Sequence, residues 1–234
     1  MSKPAVKLQH PSDRLRAWRT ALFKEHNLVN TLWLNLHPVV ESELYRAAQP
    51  TPWQLPKLIE KYGIRSVLNL RGRKPHRAFY ALERERLEAA GVPMIDLELY
   101  SRRLPGSNEL RALKEAFMRA PKPILMHCKA GADRSSLAST LYLYWFKDIP
   151  MEEAVAAQMR FWPYGYIRSS KAGVIRHWLL EFAKYRKAHL DADLIEWAAQ
   201  WDDPKRRRDY EKAFHETRGG IVANLVFENI LRRE

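Results

Sequence analysis

Strand-like apolar runs alternate with helical patterns between Asn35 and Lys129, and this alternation confines the chain to a parallel sheet covered by helices. Leu44 to Ala48 reads as a strand. Thr51-Pro52-Trp53 opens a helix running to Tyr62, with Thr51 as N-cap, Pro52 in the first turn and Gly63 as the stop. Ile64 to Leu70 reads as a buried strand, Ala78 to Ala90 as a helix ended by Gly91, and Val92 to Tyr100 as a strand with Asp96 and Glu98 on one face. Asn108 to Ala120 is a helix with Leu110, Leu113 and Phe117 as its apolar stripe, and Pro123 to His127 is a short buried strand. Beyond Arg134 the pattern turns helical: Ser135 to Phe146, Met151 to Phe161, Lys171 to Ala188, and Asp191 to Glu234. The expected fold class is α/β, a central mostly parallel sheet flanked by helices. Residues 1–34 form an N-terminal extension, 35–190 the main domain and 191–234 a helical C-terminal extension.

The last strand runs directly into Cys128-Lys129-Ala130-Gly131-Ala132-Asp133-Arg134-Ser135, where a helix begins. Small residues at Ala130, Gly131 and Ala132 allow successive backbone N–H groups to turn inward as an anion-holding nest. The helix that follows adds the positive end of its dipole. Arg134 can grip two oxygens of a phosphate through its planar guanidinium, which lysine cannot do. The same field favours a thiolate at Cys128. The alternative is that Cys128 is a small buried hydrophobe in a strand-to-helix turn.

These residues carry a family resemblance. His127-Cys128, five residues, Arg134 and Ser135 resemble the signature loop of the protein tyrosine phosphatase superfamily. Tyr45-Arg46-Ala47-Ala48-Gln49-Pro50 resembles a segment of its compact dual-specificity branch. The resemblance implies a tyrosine-phosphatase-like fold and a two-step phosphomonoester hydrolysis. Cys128 is the nucleophile, Arg134 and the amides of Lys129 to Ala132 bind the phosphoryl oxygens, Ser135 assists the leaving sulfur, and His127 orients the loop. It implies no metal or cofactor.

The family places an aspartate as general acid on a loop ahead of the cysteine. The corresponding stretch, Ser101-Arg102-Arg103-Leu104-Pro105-Gly106-Ser107, has no carboxylate. Asp96 and Glu98 are read as structural partners of a neighbouring arginine. Asp133 is the better candidate for the acid, or for positioning water, against the alternative of a helix-start aspartate that caps its turn.

Forty Lys and Arg against 27 Asp and Glu give a formal charge of +13, which attracts anionic partners. A phosphorylated protein is the first expectation for substrate. A lipid, inositol or sugar phosphate is the alternative, favoured by Lys129 after the nucleophile and by Arg102 and Arg103 where the acid would sit. Arg71 and Arg73 follow a strand that should end on the cysteine's side of the sheet. The lack of a proton donor in its usual place keeps open a phosphate-binding protein without turnover. The basic residues form no nucleic-acid-binding motif, so no nucleic acid partner is expected. One cysteine excludes an internal disulfide, and neither a signal peptide nor an 18-residue apolar run is apparent, so a cytoplasmic protein is expected. Val222, Leu225, Val226 and Ile230, an apolar stripe beside basic residues, admit peripheral contact with an anionic membrane against the alternative of core packing.

Overall fold

The computed structural model describes residues 4–25 and 33–217. The stripe from Val222 to Ile230 lies outside the described residues. The chain divides into two compact units, one of residues up to 98 together with 120–131, the other of 99–119 together with residues from 132 onward.

The first unit begins with α1 (Pro11–Arg19), which continues into a π-helical turn over Thr20–Lys24. Strands β1 (His37–Val40) and β2 (Leu44–Ala48) form an antiparallel pair. Next come α2 (Gln54–Tyr62), β3 (Ser66–Asn69), α3 (Ala78–Ala89) and β4 (Met94–Asp96). The second unit takes α4 (Ser107–Arg119), and the chain returns to the first for β5 (Ile124–Cys128). The sheet order is β1-β2-β5-β3-β4, parallel throughout except at the β1 edge. β5 is central, and all five of its residues are buried. That placement explains its unbroken apolar run: a strand covered on both faces has no polar side to alternate with.

Tyr45 and Ala47 from β2, Val67 from β3 and Leu125 from β5 form a core cluster with Leu55 and Leu58 of α2 and Leu87 of α3. Gly63 ends α2 in the left-handed conformation at φ 61°, as its position predicts. The helix opens two residues later than the pattern suggests, at Gln54. Thr51 still shapes its start, its backbone N–H and hydroxyl both donating to Gln54 Oε1. Glu25 closes the N-terminus of α3 by accepting from the backbone N–H groups of Ala78 and Phe79.

The fourth strand is shorter than the alternation predicts. It ends at Asp96, and Glu98 joins the sheet edge only through an isolated bridge to Arg71. The expected arginine partners are corrected as well. Asp96 accepts from the Asn69 amide and the Tyr80 hydroxyl, while Glu98 pairs with Lys74. Asp96 is held by neutral donors, which satisfy a half-buried carboxylate without a second charge.

The second unit continues with α5 (Asp133–Phe146), α6 (Met151–Gln158), α7 (Gly173–Ala188), α8 (Leu194–Ala198) and α9 (Pro204–Thr217). Trp197 and Trp201 near α8 pack on Trp178 of α7, at centroid distances of 5.0 and 6.0 Å. The described part of the C-terminal extension, 191–217, therefore packs on α7 through an aromatic cluster. The run Lys205 to Arg208 lies in the opening turns of α9, where Arg207 Nε donates to Trp201 O and Lys205 pairs with Asp209. Among the described residues, no helix is long and apolar enough to cross a membrane.

Candidate active site

Cys128 is the last residue of β5, paired with Ala48 of β2, and is 3% exposed. The turn after it is fixed by its carbonyls. The Lys129 carbonyl accepts from the Gln49 backbone N–H at 3.2 Å, the Ala130 carbonyl from Asn35 Nδ2 at 2.9 Å, and the Gly131 carbonyl from Arg46 Nη2 at 2.8 Å. In a trans peptide the C=O of one residue and the N–H of the next point in opposite directions. Each of these peptides therefore turns its N–H, on Ala130, Gly131 and Ala132, away from the donor that holds its carbonyl, an orientation compatible with an anion nest.

Gly131 is required for this turn. Its φ is +69°, and a Cβ there would lie 2.6 Å from Ala48 N and 2.7 Å from Ala47 C. The loop lies this close to the backbone of Ala47 and Ala48 because Gly131 has no Cβ. Arg46, wholly buried, reaches the loop carbonyl from the same strand. The segment Tyr45 to Pro50 therefore acts as the scaffold of the loop.

His127 precedes the cysteine and is wholly buried. Its Nδ1 lies 3.4 Å from Cys128 O, and its Nε2 lies 2.9 Å from Glu83 Oε1 on α3, a contact that is poorly aligned as a hydrogen bond. Glu83 Oε2 accepts from Gln49 Nε2 at 2.5 Å, and Gln49 Oε1 accepts from Arg71 Nη1. Four side chains from β5, α3, the end of β2 and the end of β3 thus form one buried polar chain. Residue types alone do not assign Glu83 or Gln49 to the site. The signal was present, because Glu83 falls on the buried stripe of Phe79, Leu82 and Leu87, where a carboxylate needs a partner.

Arg71 follows the strand whose Asn69 pairs with His127, so it leaves the sheet at the same end as Cys128, as expected. Its guanidinium is committed at least in part to Gln49. Arg73 is exposed and Lys129 half-buried.

The remaining members of the signature begin α5. The helix starts at Asp133 after Ala132, with no side-chain cap. Asp133 is thus a first-turn residue rather than the N-cap itself. Asp133 and Arg134 are half-buried, and the charge of Asp133, after burial, contributes to holding the Tyr166 hydroxyl well above the ordinary tyrosine range. Ser135 is wholly buried, and its Oγ has no hydrogen-bond partner among the described residues.

The stretch expected to carry the acid is held by carboxylates from elsewhere in its unit. Glu211 of α9 accepts from the Leu104 N–H at 2.8 Å, and Asp202 accepts from the Ser107 N–H at 2.9 Å and from its hydroxyl. Arg103 pairs with Glu109 and lies 4.2 Å over the Tyr100 ring. Burial raises the Glu211 carboxyl above its ordinary range.

No protein-family model and no curated protein sequence matches this chain. Among solved structures, PTPMT1 matches with a TM-score of 0.50 and 20% identity, over 66% of this chain and 99% of that one. The core catalytic domain of the PP-IP phosphatase SIW14 from S. cerevisiae, crystallised with citrate, matches with a TM-score of 0.50 and 17% identity, over 67% of this chain and 93% of that one. The chain has the α/β fold of these tyrosine-phosphatase-like proteins.

Proposed function

We propose that this chain hydrolyses phosphomonoesters through a phosphocysteine intermediate. The observation that carries the reading is the outward anchoring of the Lys129, Ala130 and Gly131 carbonyls, which leaves a row of N–H groups beside the end of β5 that bears Cys128. The start of α5 directly after the loop supports it, since a helix N-terminus presents its positive dipole end to an anion.

In this reading the Cys128 thiolate attacks phosphorus. The S–P bond forms as the bond to the leaving oxygen breaks, and Asp133 gives that oxygen its proton. Arg134 and the amides of the loop, Lys129 to Ala132, hold the equatorial oxygens. Water then attacks the phosphocysteine, Asp133 takes up its proton, and the thiolate is released with the Ser135 hydroxyl donating to it. His127 keeps the loop in register through Glu83. None of these steps calls on a metal or cofactor.

The substrate is proposed as a phosphorylated protein of the tyrosine or dual-specificity type. A second reading, a lipid, inositol or saccharide phosphate, is favoured by the cations Arg71, Arg73 and Lys129 around the Cys128 end of the sheet, which suit a substrate with several negative charges. The test is phosphate release from an aryl phosphate, a phosphotyrosine peptide, a phosphoinositide and a sugar phosphate, with Cys128→Ser beside the parent. Release from at least one substrate, abolished by Cys128→Ser while oxyanion binding survives, is the expected result. Oxyanion binding with no release from any of them would instead identify a phosphate-binding protein without turnover.

A further inference from the structure

Phe161 and Trp162 stand side by side on a turn after α6, 64% and 73% exposed. The other large apolar side chains exposed among the described residues are scattered singly along the chain. The turn is firmly built. Gly165 N–H donates to Phe161 O and Tyr166 N–H to Arg160 O, and the next bend is closed by Ser170 N–H on Ile167 O. Tyr164 and Tyr166 point inward, 7% and 1% exposed, and the Tyr166 hydroxyl donates to Ala172 O at 2.7 Å. Two buried tyrosines thus anchor a turn that holds two large aromatic side chains in water, an arrangement disfavoured without something to cover them.

The charge around the turn indicates what covers it. From Ala154 to Leu180 the sequence contains no Asp or Glu. Arg160, Arg168 and Lys171 are exposed on either side of the aromatic pair, with the Arg160 guanidinium 5.5 Å over the Tyr164 ring. An aromatic tip with tryptophan at its apex and a cationic collar matches the headgroup region of an anionic bilayer. There the rings reach the acyl boundary and the cations meet lipid phosphates. We propose that the turn 160–171 is a membrane-contact wedge seating this protein on an anionic lipid surface. The wedge does not depend on the phosphatase reading, and its residues are distinct from those assigned to catalysis.

Flotation of the full-length protein with vesicles tests it, comparing phosphatidylcholine alone with phosphatidylcholine containing about one-third phosphatidylglycerol. The parent is expected to float with the anionic vesicles, less so as salt rises. The variant Phe161→Ser/Trp162→Ser, which keeps every cation, should lose about tenfold or more in partitioning. Its thermal midpoint checks folding; should the pair prove unstable, Trp162→Glu at the more exposed position gives the same reading. Absence of parent flotation, or equal flotation of parent and variant, overturns the proposal. A variant that changes only self-association in sedimentation, with flotation unchanged, also overturns it and assigns the turn to a protein contact.

Discussion

His127 Nε2 lies 2.9 Å from Glu83 Oε1, with both side chains wholly buried. The pair joins the residue before Cys128 to the middle of α3, and through Gln49 to the strand end that holds the loop carbonyls. Glu83→Ala would leave both the histidine ring and the Gln49 amide without their partner. A loss of about 3–5 kcal/mol in stability is expected, larger than that for Glu83→Gln, which keeps the volume and one acceptor. Urea denaturation of the two variants measures it. Equal and small losses would mean that the buried chain does not hold the site.

Gly131→Ala is expected to disrupt the nest. A methyl group cannot sit 2.6 Å from Ala48 N, so either the left-handed turn or the Arg46 contact must give way. The strain amounts to about 1–3 kcal/mol or more. Calorimetric titration with inorganic phosphate should show binding lost in this variant even where it stays folded.

His37 links the loop to pH. Its Nε2 lies 3.1 Å from Asn35 Oδ1, and the Asn35 amide holds the Ala130 carbonyl. Burial first, and then the Arg46 charge, lower its pKa from the ordinary 6.5. The folded state thus binds this proton less readily than the unfolded chain. The stability that neutral His37 contributes is present above pH 6.5 and is lost as pH falls through the lowered value. Thermal midpoints measured from neutral pH downward should fall more steeply for the parent than for His37→Gln. Parallel curves would exclude His37 as the source.

Much of the fold was legible because its signals are local. The helix stops at Gly63 and Gly91, the buried run of β5 and the small residues of the loop each follow from backbone geometry. The short β4 was not legible: Leu97 and Leu99 continue the alternation, yet only Leu99 of the two is buried and pairing stops at Asp96. The candidate site was readable where it is contiguous, from His127 to Ser135. Its supports were not, because Asn35, Arg46, Gln49 and Glu83 are brought to the loop by tertiary packing. The carboxylates Asp202 and Glu211 lie far along the chain from the stretch 101–107 that they hold, for the same reason.

Leaving-group dependence tests Asp133 as the proton donor, with Glu211 as the control. Asp133→Asn is expected to slow an alkyl phosphate about 10²–10⁴-fold while sparing an aryl phosphate with a good leaving group. Glu211→Gln, whose carboxylate is spent on the Leu104 N–H, should slow both equally and slightly. Equal slowing of both substrates by Asp133→Asn would remove Asp133 as the acid.

The most direct measurement is a trapped intermediate. Acid quench of the protein during turnover of an aryl phosphate, followed by peptide mass spectrometry, should find one phosphoryl group on the peptide carrying Cys128. The adduct should be absent in Cys128→Ser. Phosphate release that continues in Cys128→Ser, or an adduct on any other residue, would contradict the account.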